Sequence, residues 1–366
     1  MRNSRRDFLC ASIGLGTAAL QAANSGPSTA ELAAMDAVVD AFMVAHSVPG
    51  MSVAVARDGV PVHQKGYGFA DREAREKVTP ANLFRIASVS KPITSVAIFQ
   101  LIEQGKLKLD DPVFGPGAIL GVAYGAPPYQ PHVAEIRLHH LLTHTGGGWQ
   151  NDGTDPMFSN ARMNQHELIA WTIAHLPLAH APGEHYAYSN FGYCVVGRIV
   201  EKVTGKPYAQ HVRDAVLARC GIDDMRISGN TRAERARGEV VYYPAPGEDA
   251  YDMDVRRMDS HGGWLATAPD LVRFATHLNM LRPTVIAEMM RGTTANAGYA
   301  CGWAVNQVPN WWHNGSLPGT TSIMVRTASG FCWSALLNTR EEKVNTGGAL
   351  DRMMWEMVRK VASWRA

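Results

Sequence analysis

The spacing of hydrophobic residues near the start of the chain predicts a helix followed by a β-hairpin. Ser28–Glu31 has the form of a capping box, and apolar residues recur after it every three or four positions. Two apolar runs follow at 51–56 and 60–65. They are joined by Asp58–Gly59, which tolerates the positive φ of a tight turn, so we expect the two runs to pair as a hairpin.

Strand-like patterns return only near the end of the chain, at 302–308, 322–326 and 331–337. Before them, helical patterns alternate with Pro- and Gly-rich loops over about 111–259, and a last amphipathic stretch covers 348–364. Strands at both ends with helices between predict an α+β fold: an antiparallel β-sheet flanked by helices, with an inserted all-helical region. We expect one domain over 28–340 and a C-terminal helix within 341–366 that packs on the sheet.

The overall composition is that of a globular protein and excludes few functions. The 366 residues are 46% hydrophobic, which excludes disorder as a description of the whole chain. The formal net charge of +2 is too small to indicate a nucleic-acid partner, so we expect none.

The excess positive charge lies in the first residues, which have the pattern of an export signal. Arg5 and Arg6 precede an uncharged apolar stretch at 9–23 that is too short to span a bilayer as an ordinary helix. This pair resembles a twin-arginine signal, so we expect a leader at 1–27 and a periplasmic or secreted protein without a membrane span. Removing the leader lowers Lys+Arg from 35 to 32 and Asp+Glu from 33 to 32, which leaves a formally neutral chain.

Four of the five cysteines follow the leader, and we expect them to be buried, free thiols. Cys194 and Cys332 lie in apolar stretches typical of a protein core. No pair has the Cys-x-x-Cys spacing, and the cluster His139, His140 and His144 lacks the ligand spacing of a metal site. The sequence therefore predicts no metal and no cofactor.

The sharpest local pattern is Ser88-Val89-Ser90-Lys91, followed by Pro92 and a helical repeat of apolar residues. Proline fits the first turn of a helix, so the helix should begin close to Ser88. The serine would then lie at the positive helix end, where N–H groups stabilise an oxyanion. Lys91 shares that helical face, and a lysine in a dry pocket can lose its proton and accept one from serine. The alternative is a serine cap beside an exposed lysine.

A second candidate segment is Tyr188-Ser189-Asn190, which leads into a helix predicted at 191–204. A phenol that shares its proton with a nearby ammonium can act as a general base and acid, and an amide can orient a substrate carbonyl. Alternatively, Tyr188 is structural and Asn190 caps the helix.

A third candidate segment, Trp312–Ser316, lies at the end of a late strand. Gly315 would let the backbone of a substrate approach closely, and the N–H of Ser316 could be a second oxyanion donor. The alternative is a turn between two strands.

With these three segments in this order, the chain resembles the serine β-lactamase and penicillin-binding-protein family. The similar branch contains class C β-lactamases, D-alanyl-D-alanine carboxypeptidases and family VIII carboxylesterases. Ser88–Lys91 fits the Ser-x-x-Lys motif of the family, Tyr188–Asn190 fits its Tyr-x-Asn, and His313–Gly315 stands where many members have Lys-Thr-Gly. Segments 141–147 and 262–271 are also similar to the family, and the resemblance covers about 30–340.

The resemblance implies a catalytic cycle. Ser88 would be the acylated nucleophile, with Lys91 and Tyr188 moving its proton. Asn190 would hold the substrate, and the N–H groups of Ser88 and Ser316 would form the oxyanion hole. Water would then hydrolyse the acyl-enzyme, with Tyr188 as its base.

One departure from the family pattern affects the expected substrate. His313 replaces the lysine of Lys-Thr-Gly, and a neutral imidazole attracts a substrate carboxylate less than an ammonium does. We expect His313 and Gly315 to bind substrate together with Asn190 and Ser316. The replacement disfavours an efficient β-lactamase, whose substrates carry that carboxylate, and leaves ester and peptide hydrolysis open.

These patterns leave three functions open. The leading one is an exported serine hydrolase that cleaves a small-molecule ester or amide through an acyl-enzyme on Ser88. The alternatives are a D-alanyl-D-alanine carboxypeptidase acting on cell-wall peptides and a non-catalytic ligand sensor. The preferred acyl group depends on loops such as 146–158 and 236–254, whose shape does not follow from the sequence, and neither does the oligomeric state.

Overall fold

The computed structural model of the chain describes residues 26–340, 346–362 and 364. The leader predicted at 1–27 lies almost wholly outside these residues. Within them, no helix is both long and apolar enough to cross a membrane. The four cysteines among the described residues are buried and free, as predicted: Cys194, Cys220, Cys301 and Cys332.

The strands of the described residues form two sheets. In chain order they are β1 (Gly50–Arg57), β2 (Val60–Asp71), β3 (Glu76–Lys77), β4 (Phe84–Arg85), β5 (Arg226–Ile227), β6 (Trp264–Ala266), β7 (Ala304–Val305), β8 (Trp311–Leu317), β9 (Thr320–Arg326) and β10 (Phe331–Leu337). The larger sheet has seven strands in the order β3-β2-β1-β10-β9-β8-β7, and the smaller has the order β4-β6-β5. β1 pairs antiparallel with β10, with Met51 opposite Leu337. The first and last strands are thus neighbours, which confirms a sheet built from both ends of the chain.

Helices cover both faces of the larger sheet. In chain order they are α1 (Thr29–Ala45), α2 (Ser90–Glu103), α3 (Leu138–Leu142), α4 (Pro156–Ser159), α5 (Gln165–His175), α6 (Asn190–Thr204), α7 (Tyr208–Val212), α8 (Ala268–Thr276), α9 (Pro283–Met289) and α10 (Thr346–Val358). Ser28 caps α1 in a capping box with Glu31, as predicted. The predicted hairpin is also present, because Asp58 and Gly59 turn between β1 and β2 with φ of 49° and 84°.

Three elements differ from the sequence patterns. β5 lies inside the region expected to be all-helical, and it pairs with β6, which comes later in the chain. Its two residues are too few to show an alternating pattern, so only the distant partner defines it as a strand. The strand expected over 302–308 is limited to β7, and the segment Trp312–Ser316, for which a turn was the alternative, lies inside β8.

Side chains of β1 alternate between two hydrophobic cores. Val53 and Val55 point into a core that α1 and α10 cover on one face of the sheet. Ala54 and Ala56 point into a larger core on the opposite face, which contains α2, α6 and α8. Because both faces are covered, β1 is buried along almost its whole length.

The helix α2 runs through the larger core and is buried on all sides, rather than on the single face that its apolar spacing suggested. Two of its buried hydroxyl groups donate to backbone carbonyl groups of other segments. Thr94 Oγ1 donates to the Ser260 carbonyl at 2.6 Å, and Ser95 Oγ donates to the Cys301 carbonyl at 2.6 Å. These bonds fix the helix that carries Lys91.

Candidate active site

Ser88 lies in a tight turn between β4 and α2. One turn of 3-10 helix covers Ala87–Val89, and α2 begins at Ser90, two residues from the predicted start. Ala87 has a φ of 46°, a left-handed conformation that is unfavourable for a residue with a side chain. The turn places the Ser88 side chain at the start of the helix, where N–H groups lack carbonyl partners within the helix.

Gly315 allows β8 to approach this turn. A Cβ atom at position 315 would lie 2.2 Å from the Ile86 carbonyl oxygen and 2.3 Å from Ser322 Oγ. On its Cβ side, the space beside Gly315 is therefore filled by the protein itself. The glycine lets the strand that carries the exposed Ser316 lie against the turn, and its contact with a substrate stays a prediction.

Lys91 is fully buried, which excludes the alternative of an exposed lysine. Its Nζ lies 3.1 Å from Ser88 Oγ, 2.8 Å from Asn190 Oδ1 and 3.1 Å from the His261 carbonyl oxygen. Burial holds the pKa of Lys91 well below its usual value, and the charge of Asp155 acts in the opposite direction. In the neutral amine, two hydrogens go to the amide and carbonyl oxygens, which can only accept, and the lone pair faces the serine hydroxyl. This is the geometry of a general base.

The amide of Asn190 is oriented by two acceptors. Nδ2 donates to Asn151 Oδ1 at 2.8 Å and to Asp155 Oδ2 at 3.2 Å, which leaves the amide oxygen for Lys91. Asn190 is the first residue of α6, and the cap of this helix is Ser189, whose Oγ accepts the N–H of Gly192 at 2.9 Å. The alternative role of Asn190 as a helix cap is therefore wrong.

Asp155 is a buried carboxylate that the sequence patterns did not single out. Burial raises its pKa to about 6, while hydrogen bonds from Met157 N–H and Asn190 and the charge of Lys91 act in the opposite direction. Oδ1 of Asp155 also caps α4, whose first residue is Pro156. An aspartate before a proline is a helix-start signal, which could have located the cap but not the contact with Asn190.

Tyr188 approaches Ser88 from a different direction. Burial raises the pKa of the Tyr188 phenol above its usual value, and the nearby Ser88 hydroxyl acts in the opposite direction. Lys91 Nζ lies 4.7 Å from the centre of the Tyr188 ring, so the amine faces the ring. Ser88 thus stands between two groups that can exchange its proton.

His313 is buried close to Tyr188, and both of its ring nitrogens have hydrogen-bond partners in the protein. Nε2 lies 3.0 Å from Tyr299 Oη, and Nδ1 lies 2.6 Å from the Asn314 carbonyl oxygen. Burial and the charge of Lys91 lower the pKa of His313 to about 3. The nitrogens expected to meet a substrate therefore bond to the protein itself. Tyr299 carries no sequence signal for this contact.

A cavity of ≈ 290 Å³ opens beside Ser88. Asn190 and Ser316 form part of its wall. Both loops expected to shape the specificity contribute apolar side chains to it, namely Phe158 and Met253. The cavity is thus large enough for a small acyl group, and its walls combine apolar side chains with a few polar groups.

Two further polar side chains border this cavity. The His261 ring is buried, and neither of its nitrogens has a hydrogen-bond partner among the described residues. Both nitrogens are also shielded from solvent. Arg340 is paired with Glu248, so its charge is largely balanced. Within the part of the chain that the structure describes, no group of three or more metal-ligating side chains occurs.

Comparison with known proteins places the chain in a family. A family model described as Beta-lactamase matches residues 35–352, and the chain therefore belongs to the β-lactamase family. The chain is 32% identical over 262 residues to Esterase EstB of Burkholderia gladioli, an alignment covering 66% of this chain and 64% of EstB. It is 28% identical over 180 residues to Protein flp of Staphylococcus aureus (strain MW2), covering 49% of this chain and 35% of flp. The alignments thus span less than two thirds of these relatives.

Solved structures share the fold. D-amino acid amidase from Ochrobactrum anthropi SV3, complexed with L-phenylalanine amide, superimposes with a TM-score of 0.73 at 23% identity, covering 91% of this chain and 98% of the amidase. The octameric penicillin-binding protein homologue from Pyrococcus abyssi gives a TM-score of 0.72 at 21% identity, covering 91% of this chain and 80% of that one. At these identities the likeness describes the fold, which is that of β-lactamases and transpeptidases.

Proposed function

We propose that this chain is a serine hydrolase that cleaves an ester or amide bond through an acyl-enzyme on Ser88. The observation that carries the proposal is the 3.1 Å contact between Lys91 Nζ and Ser88 Oγ, with the other two polar neighbours of Nζ restricted to accepting hydrogen bonds. A buried amine in this position removes the serine proton as the hydroxyl attacks a carbonyl carbon. The N–H groups of Ser88 and Ser316 receive the developing oxyanion.

The same site completes acylation and then hydrolyses the acyl-enzyme. Tyr188, close to the serine hydroxyl, donates a proton to the leaving group, which departs as an alcohol or amine. A water molecule then attacks the acyl carbonyl and passes a proton to Tyr188. The bond to Ser88 Oγ breaks as Lys91 returns its proton to that oxygen, which restores the hydroxyl and the neutral amine. Asn190 holds Lys91 in place throughout, and the cavity beside Ser88 accepts the acyl group.

An ester is the first substrate class to test, because EstB, named an esterase, is 32% identical to the aligned part of the chain. The arginine pair at residues 5 and 6 supports export to the periplasm or beyond. A D-alanyl-D-alanine carboxypeptidase and a non-catalytic ligand sensor are the competing functions.

Intact-mass spectrometry with a fluorophosphonate probe tests the nucleophile. We expect the probe to label the wild type and Ser90→Ala, a matched change to a buried hydroxyl two residues away, and to leave Ser88→Ala unlabelled. Turnover of p-nitrophenyl esters by Ser88→Ala should fall by about 10⁴-fold or more. A wild type that neither labels nor turns over an ester, a cephalosporin or a D-Ala-D-Ala peptide would be a sensor instead. Peptide turnover without ester turnover would favour the carboxypeptidase.

A further inference from the structure

His313 belongs to a chain of buried hydrogen bonds that the catalytic roles above do not use. The N–H of Ser189 donates to His144 Nδ1 at 3.0 Å, and His144 Nε2 lies 3.1 Å from Tyr299 Oη. Tyr299 Oη lies 3.0 Å from His313 Nε2, and His313 Nδ1 lies 2.6 Å from the Asn314 carbonyl oxygen. The chain begins at a group that can only donate and ends at one that can only accept.

These two ends determine where every proton lies. Since His144 Nδ1 accepts the N–H of Ser189, neutral His144 carries its proton on Nε2 and donates it to Tyr299 Oη. The phenol hydrogen then points to His313 Nε2, so the His313 proton lies on Nδ1 and is donated to the Asn314 carbonyl. Assigning the protons in the opposite direction, from the Asn314 carbonyl to the Ser189 N–H, gives the same positions.

A charge on His313 would break this chain. An added proton on Nε2 would make Tyr299 Oη accept two N–H groups and would leave the phenol hydrogen without its acceptor. The titratable groups that face His313 are Lys91 on α2, His144, Tyr299 and Tyr188. Burial with the charge of Lys91 lowers the pKa of His313 to about 3, and burial holds the pKa of His144 well below its usual value.

We propose that Tyr299 and His144 hold His313 as a neutral imidazole with its proton on Nδ1, so that the cleft selects esters and amides that carry no carboxylate. The inference rests on the proposed function of Ser88 and specifies its substrate class. Arg340, the charged side chain on the cavity wall, is already paired with Glu248. The cleft therefore offers a substrate anion little net positive charge.

Nitrogen NMR of protein labelled with ¹⁵N-histidine tests the proton arrangement without any substrate. The His313 signals are identified by their loss in His313→Gln. We expect one protonated and one unprotonated ring nitrogen, with the proton on Nδ1, unchanged from about pH 5 to pH 8. Wild-type His313 that titrates in this range, or that carries its proton on Nε2, overturns the proposal.

Two Tyr→Phe substitutions test whether the Tyr299 hydroxyl keeps the His313 proton on Nδ1. Tyr299→Phe removes the donor to Nε2, so the unprotonated nitrogen signal should move and the pKa of His313 should rise. Tyr186→Phe is the matched control, because Tyr186 packs against the rings of His144 and Tyr299 but is not part of the chain. Equal effects of the two substitutions would contradict the role of Tyr299.

A pair of matched esters tests the selectivity. 4-Acetoxybenzoate and 4-acetoxybenzamide have nearly the same size and differ by one negative charge. We expect the wild type to prefer the amide-bearing ester by about tenfold or more in kcat/KM, with a ratio that stays constant from about pH 6 to pH 8. His313→Lys, which introduces a cation, should reduce this preference by about tenfold. Equal wild-type rates for the two esters, or an unchanged ratio in His313→Lys, overturns the selectivity.

Different results would overturn the hydrolase function of Ser88 and the neutral state of His313. Labelling at Ser88 together with a titrating His313 would leave the hydrolase function standing and overturn this inference. Ester turnover that survives in Ser88→Ala would instead overturn the nucleophile assignment, while the proton positions measured by NMR would still stand on their own.

Discussion

The two faces of the seven-stranded sheet share the same strands but bury different chemistry. On the face under α1 and α10, here called the outer face, the buried side chains of the covering helices are apolar, and Met35, Leu350 and Met354 are fully buried among them. On the opposite, inner face, α2 and α6 bring Lys91 and Asn190 into contact with each other, out of water.

This difference separates stability from catalysis. Apolar burial is non-directional and contributes in proportion to area, so the outer face can stabilise the sheet without specifying any one contact. A buried polar group costs free energy unless each of its donors and acceptors is paired, so the inner face depends on particular partners. We expect outer-face substitutions to change the free energy of unfolding and inner-face substitutions to change turnover.

The largest effect on turnover apart from loss of the nucleophile is expected for Lys91→Met. This change keeps the length of the side chain and removes the amine that faces Ser88, so kcat should fall by about 10³- to 10⁴-fold. Steady-state kinetics on a p-nitrophenyl ester measures the loss. Lys106→Met, an exposed lysine just after α2, is the control and should keep wild-type kinetics. Retained turnover in Lys91→Met would show that another group is the base.

The next largest effect is expected on the free energy of unfolding, for a substitution on the outer face. Leu350→Ala leaves a cavity under α10 and should lower the free energy of unfolding by about 3 kcal/mol, measured by urea denaturation. Val44→Ala on α1, where the valine is 82% exposed, should change it by less than about 0.5 kcal/mol. Both variants should keep wild-type kcat/KM at a temperature where they are folded. A loss of turnover in Leu350→Ala would mean that the two faces are not independent.

The smallest effect concerns pH and the buried acid of the inner face. Asp155, with a pKa raised to about 6 by burial, orients Asn190 together with Asn151 and accepts its N–H most strongly as a carboxylate. Its protonation lets the Asn190 amide turn its NH₂ group toward Lys91, so kcat/KM should fall as the pH drops through about 6. Asp155→Asn should lower kcat/KM by about tenfold and remove this acid limb, because the new amide meets Asn190 with a donor.

A matched carboxylate in the same loop controls for this test. Asp155→Asn preserves the cap of α4, since asparagine caps helices as well as aspartate does. Asp152→Asn changes an exposed residue three positions earlier and should keep both the rate and the acid limb. An acid limb that persists in Asp155→Asn would assign it to another group.

Local features of the fold could be predicted because neighbouring residues determine them. The capping box of α1 and the Asp58–Gly59 turn depend on contacts within a few residues, and both are present. Ser88 and Lys91 lie three residues apart at the start of a helix, so their proximity also followed from the sequence.

Other features depend on partners far away in the chain. The strand character of β5 requires β6, and the small size of Gly315 allows a close approach to the Ile86 backbone that the sequence did not indicate. No local pattern carries that information, because the space beside a residue is filled by segments brought there only by folding.

Residue types and their spacing establish which reactive groups this protein contains: a serine and a lysine on one helix turn, a tyrosine and an asparagine near the start of another helix, and a histidine where an ammonium is common in the family. The protonation and orientation of those groups depend on the folded chain. Burial lowers the pKa of Lys91, Asp155 orients Asn190, and Tyr299 forms a hydrogen bond with His313. Each effect arises where segments that are distant in the sequence meet. The physical reason is that protonation and orientation depend on desolvation and on hydrogen-bond partners, which exist only after the chain has folded.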